Sequence, residues 1–235
     1  MFDRLETSID GAPIKWQRTK ALELFAYLLM NHGEYVHKDT ILENLWPDCE
    51  PSKALPILQT SACRIRNVFS HLKQDVTLDY SGSQYCLIVR NARCDLFTVE
   101  QAIYNFDKSN DASIRALEKA CVLFGGGLLS QQGFIWSMEK DEQLRGSLLH
   151  LLKSAVTAYS VRKDEDNHQN VLRLIAMLAP DDEEADYIFL KSLEKVGKYR
   201  ELISHCKRLS HLFKEEYDIT PARQLFELIE RYKDQ

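Results

Sequence analysis

Between Pro51 and Gln74 the chain carries Lys53, Arg64, Arg66 and Lys73 and no Asp or Glu, although its 235 residues have a formal net charge of -5. Cationic donors with no carboxylate among them suit acceptors outside the chain, above all phosphate oxygens and base edges. Arg64 has the forked geometry that pairs with guanine, and Gln59 has the two-sided amide that pairs with adenine. Thr60 and Ser61 suit either a base or a phosphate. Lys53, Cys63 and Asn67 share that side of the run, with Arg66 at its edge. The placement of the charge carries this reading, and its sum does not.

No other group of side chains assembles a reaction. Gly125-Gly126-Gly127 is followed by no Lys-Ser/Thr pair and preceded by no strand, so it reads as a loop between helices. His205, Cys206 and His211 are spaced i, i+1, i+6, which does not put them on one helical face, and no metal is expected there. His32, His37, His71, His150 and His168 are scattered, and no HExxH, GxSxG or Walker pattern occurs. The expectation is a protein that is not an enzyme and needs no cofactor. Six scattered cysteines without a CxxC pair read as free thiols. No apolar run is long enough for a membrane span and no signal peptide is evident, so a cytoplasmic protein without a membrane partner is expected.

The elements that must position the cationic run follow from periodicity. Phe2 to Trp16 reads as short strands, with Asp10-Gly11 as a hairpin dipeptide. Thr19 can cap a helix through Met30, whose Ala21, Leu22, Leu24, Phe25, Leu28 and Leu29 form one apolar face. A second helix is predicted at about Lys38–Leu45, closed by Trp46-Pro47. The third spans about Ser52–Leu72, with Ala54, Leu58, Ala62, Ile65 and Phe69 as its buried stripe. Pro56 should push the regular helix to start nearer Leu55. Val76–Tyr80 and Gln84–Val89 flank Ser81-Gly82-Ser83 as a hairpin, so residues 1–92 read as a winged helix-turn-helix. The alternative is a solvated amphipathic helix in a module that does not bind DNA.

From Asp95 onward the chain reads as helices: Phe97–Asp107, Ala112–Leu123, Phe134–Lys163, Asn167–Leu178, Glu183–Val196, Tyr199–Lys214 and Ala222–Tyr232. Their pairing suggests a partial tetratricopeptide (TPR)-like array over 93–235, which would offer a concave surface to a partner. Residues 1–92 hold 10 Lys+Arg against 11 Asp+Glu, and 93–235 hold 20 against 24. The helical part is thus the more acidic and is expected to face protein. The fold class predicted is mostly α: a winged helix with small β-sheets, then an all-α domain.

Phe2-x-Arg4-Leu5, Asp10-Gly11, Lys20 to Leu29, Leu45-Trp46-Pro47-Asp48, Ala54, Leu58, Ile65-Arg66, Tyr85-Cys86-Leu87 and Cys94-Asp95 fall in the order and spacing of a known pattern. So do Leu123 to Leu129, Leu178-Ala179-Pro180, Gly197-Lys198-Tyr199 and Ile219-Thr220-Pro221. In these residues nearly the whole chain resembles the Streptomyces antibiotic regulatory protein (SARP) family of bacterial transcriptional activators. The resemblance implies an OmpR/PhoB-type winged helix joined to a bacterial transcriptional activator domain. It also implies double-stranded DNA with repeated half-sites as the partner, a homodimer on DNA, and RNA polymerase as a further partner.

Carried over residue by residue, Arg64 and Arg66 fall where the recognition helix presents arginines to DNA, with Gln59, Thr60 and Ser61 on the same surface. Arg18 and Lys20 match basic positions at the start of the first helix. Lys38 and Thr40 open the second, whose N-terminus suits phosphate. Ser83 stands at a wing tip where the family commonly has Arg or Lys. Because Met1 abuts the first strand, the resemblance also implies the effector part of a longer, signal-responsive regulator of the two-component kind. The competing expectation is an interaction scaffold whose winged helix no longer binds DNA.

Overall fold

The computed structural model describes residues 1–16, 19–72, 75–179 and 182–234. Arg18 and Lys73, two cations singled out above, and Pro180 lie outside the described residues. The chain forms two units. One comprises Met1–Thr98 with Gly126–Glu142, the other Val99–Gly125 with Gln143–Gln235.

The first unit is a winged helix. Strands β1 (Ser8–Ile9) and β2 (Ala12–Pro13) form a two-residue hairpin. Its turn puts Asp10 and Gly11 at φ 50° and 80°, the left-handed pair that a type I′ turn demands. Helix α1 (Thr19–Met30) follows, then β3 (Val36–His37), α2 (Lys38–Leu45) and α3 (Pro51–Val68). Strands β4 (Val76–Ser81) and β5 (Gln84–Val89) close the wing, and β3 adds to β5 to give a three-stranded antiparallel sheet. That third strand was not foreseen, since two residues carry no alternation to read.

Ala54, Leu58, Ala62 and Ile65 are all but inaccessible, so the stripe at helical spacing is the buried face of α3. It packs on α1 and α2, and Trp16, Phe25 and Phe69 stack beside it with ring centroids 5.1–6.2 Å apart. Two expectations for α3 need correction. It begins at Pro51, where a proline costs nothing, and runs through Pro56. The carbonyl that Pro56 leaves without an amide belongs to Ser52, and both residues are exposed. It ends at Val68, because Phe69 already departs from helical geometry at ψ 17°.

The leader also differs from expectation. Met1 to Leu5 does not pair with β1 or β2. Phe2 bridges Leu128, and backbone bonds run from Asp3 N to Gly127 O (2.9 Å), Leu129 N to Met1 O (3.0 Å) and Gln131 N to Asp3 O (2.9 Å). The connector between two later helices is thereby stitched to the start of the chain. Trp136 in that connector stacks on Phe134 and meets Tyr27 of α1 edge-on.

The second unit is helical. Its elements are α5 (Asp111–Phe124), α7 (Glu165–Leu178), α8 (Glu183–Val196), α9 (Tyr199–His211) and α10 (Arg223–Tyr232). Helices α4 (Asp95–Tyr104) and α6 (Met138–Arg162) contribute to both units. A five-residue π-helical turn, Leu212–Glu216, extends α9. Caps set the boundaries. Asn110, Asp164 and Asp182 each accept a bond from an amide in the first turn of α5, α7 and α8, and Gly197 ends α8 at φ 78°. Leu172, Phe189, Leu190, Leu202, Cys206, Leu209, Leu225 and Ile229 form the core between α7 and α10. Burial pushes the Cys121 thiol up to about 12 and that of Cys206 up to about 11, so both remain thiols. Among the described residues no helix is long and apolar enough to cross a membrane.

Candidate nucleic-acid interface

With Leu58 and Ile65 facing inward, 100° per residue carries Lys53, Thr60, Arg64 and Asn67 to the opposite side of α3. Gln59, Thr60, Cys63 and Asn67 are exposed, and Arg64 is half-buried. No carboxylate among the described residues pairs with Arg64. Lys53 is 76% exposed and reaches Glu50 at 3.4 Å, a surface contact of little strength. The Asn67 amide lies 4.0 Å from the Cys63 sulfur. The face therefore presents amide, hydroxyl, thiol and guanidinium groups, with no acidic side chain among them.

Ser61 does not belong to this face. It is 1% exposed, and its hydroxyl has no hydrogen-bond partner among the described residues. The signal was present in the spacing: Ser61 stands seven residues, or two turns, after the buried Ala54. The chemistry of this small side chain suits a contact to DNA, and its place on the inner stripe withholds it.

Arg66 is exposed, yet its Nε donates to the Leu78 carbonyl of β4 at 3.0 Å. Nearby, the Tyr35 hydroxyl donates to Asp79 at 2.6 Å. That bond holds the Asp79 carboxyl below the ordinary range, with the Tyr80 amide and the Arg66 charge adding to it. The same contact raises the Tyr35 hydroxyl. Tyr80 packs on Tyr85 with centroids 4.6 Å apart. Arg66 thus ties α3 to the wing. Tyr35, Asp79 and Tyr80, which sequence reasoning passed over, complete that tie through contacts that no local pattern announces.

The wing turn is Gly82-Ser83, with φ of 56° and 68°, again a type I′ pair. From Val76 to Val89 there is no Lys or Arg. The Ser83 carbonyl accepts from the Lys38 amide at 2.9 Å, and the His37 side chain accepts from the Asp39 amide at 3.3 Å. Two first-turn amides of α2 are therefore occupied, and Asp39 adds a negative charge. The expected phosphate site at the start of α2 is reduced to Thr40, which is exposed, and to the half-buried Lys38 side chain. Lys20 is engaged by Glu23 at 2.9 Å and lies 5.8 Å from the Trp46 ring centre. Among the described residues no group of three potential ligands could hold a metal ion.

The fold has a solved counterpart. The structure of Mycobacterium tuberculosis EmbR in complex with a low-affinity phosphopeptide superposes on all of this chain with a TM-score of 0.63 and 18% identity. The chain spans 64% of the length of that EmbR chain. No protein-family model and no curated protein matches the sequence. At this identity the likeness concerns architecture alone: small antiparallel sheets near the start of the chain and helices after.

Proposed function

We propose that the protein is a sequence-specific DNA-binding transcription regulator, an activator of the SARP kind. The observation that carries this is the exposed, acid-free face of α3 on a winged-helix frame, with Arg64 free of any acidic partner among the described residues. In this reading α3 enters the major groove and Arg64, Gln59 and Asn67 meet base edges, while Lys53 and Thr60 take phosphates. The resemblance adds repeated half-sites about one helical turn apart, occupied by a homodimer, with the helical unit contacting RNA polymerase. A cytoplasmic setting, a response to a signal, and no chemistry of its own belong to the same reading.

The test is selection of bound duplexes from a random pool at two salt concentrations. A defined repeat should be enriched, with affinity falling by a log–log slope of about -0.9 per neutralised phosphate. Arg64→Ala should cost about 1–3 kcal/mol and relax preference at one base pair. A flat salt response and no enriched repeat would favour the scaffold reading. That reading has one specific support: the wing carries Asp79 and no cation.

A further inference from the structure

Away from the α3 face, the first unit holds an open cleft of about 580 Å³. That is within the size of small-molecule sites, roughly 300–1,000 Å³. Its apolar lining comes from the heart of the winged helix: Phe25 and Leu29 of α1, Phe69 just after α3, and Val76 and Val89 of the wing strands. The leader Met1–Ser8 and the segment Ala92–Asp95 complete it. Among the described residues, every charged group around the apolar lining but one has a hydrogen-bond or ion-pair partner, although Asp3 meets a hydroxyl and no cation. Glu6 takes Arg4 at 2.7 Å, the Met1 amine and Phe2 amide take Asp95, and the Ser130 hydroxyl donates to Asp3 at 3.3 Å. Arg93 is exposed and meets no carboxylate among the described residues.

We propose that this cleft binds an amphipathic organic anion, its hydrocarbon or aromatic body against Phe25, Leu29 and Phe69 and its carboxylate on Arg93. Transfer of the body out of water drives binding, and the guanidinium fork selects a planar carboxylate over a neutral head. Because Phe69 caps the end of α3 and Val76 opens β4, an occupied cleft bears on both elements of the candidate interface. That consequence rests on the DNA-binding reading; the binding itself does not.

The intact chain is titrated with decanoate and with decanol by calorimetry, without DNA and below the concentration at which decanoate self-associates. Decanoate should bind saturably at one site, and decanol at least about tenfold more weakly, as fits loss of a charge-assisted pair. Arg93→Glu should weaken decanoate to the same degree. Ala92→Trp, which fills the rim from an exposed position, should abolish binding. Both variants should keep the wild-type circular dichroism and melting temperature. No saturable decanoate binding, or binding that both variants leave unchanged, overturns the site. A second arm measures duplex affinity with decanoate at saturation, where a shift of at least threefold is expected. Decanoate binding with no DNA binding under any condition overturns the DNA reading and leaves the cleft standing. DNA binding indifferent to saturating decanoate overturns the coupling.

Discussion

Ser61→Ala should make the protein more stable and leave duplex binding intact. The Ser61 hydroxyl is shut from solvent on the inner stripe of α3 and has no hydrogen-bond partner among the described residues. Such a group carries its desolvation penalty uncompensated, about 1–3 kcal/mol. Alanine removes that penalty and is the better helix former by about 0.5 kcal/mol. Against this stands the space of one oxygen atom, smaller than the methyl-sized void that costs about 1 kcal/mol. The balance is a gain of about 1–2 kcal/mol, which for a chain of this size raises the melting midpoint by at least about 2 °C. The assay is urea unfolding of the intact chain followed by far-UV circular dichroism, with the midpoint rising at constant slope. Duplex affinity, measured beside it, should stay within error of the wild type. A less stable variant would mean that the hydroxyl is satisfied and the burial argument wrong. Unchanged stability with affinity down tenfold would return Ser61 to the DNA-facing surface.

Arg66→Ala should lower unfolding stability by about 1–2 kcal/mol through loss of its charge-assisted bond to Leu78, while Arg64→Ala leaves unfolding unmoved; equal effects would refute the division of roles. Glu118 of α5 is raised above the ordinary carboxyl range, chiefly by burial, with Asn170, Arg115 and Tyr159 opposing. Its folded form therefore binds a proton more tightly than its unfolded form, and stability falls as pH rises from the ordinary value through the raised one. Glu118→Gln should stabilise the protein at pH 7 and flatten that slope in urea titrations at several pH values; an unchanged slope would count against it. Asp186 is fully buried and accepts from His205 at 2.8 Å, with Arg208 at 3.6 Å. His205→Ala should cost about 2–4 kcal/mol in thermal unfolding, since a buried carboxylate loses its nearest partner. Gly127 sits at φ 117° and accepts from the Asp3 amide, so Gly127→Ala should cost about 1–3 kcal/mol. Gly126→Ala should cost less than about 1 kcal/mol, because the added carbon crowds only the exposed Asp3 carboxylate, which can turn away, and meets the Ser130 hydroxyl at an ordinary 3.8 Å. Reversal of that order in paired melts would refute the strain argument.

Much of this molecule was legible along the chain. Apolar residues at helical spacing gave α1, α2 and α8 their bounds, and Asp10-Gly11 marked its turn, because each depends on contacts a few residues apart. The absence of Asp and Glu from Pro51 to Gln74, which sets the character of the exposed α3 face, is a property of composition alone. Other features needed the fold. Ser61 has the chemistry of a base reader, and only packing on α1 and α2 turned it inward. Arg66 looked equivalent to Arg64 until β4 supplied a carbonyl from twelve residues away. The pairing of Met1 to Asp3 with Gly127 to Gln131 spans more than a hundred residues and rests on backbone groups, which every sequence carries alike. Periodicity and charge are written in side chains and survive reading in one dimension. Backbone partners and the side a polar residue finally faces are settled by which distant surfaces must be excluded from water together.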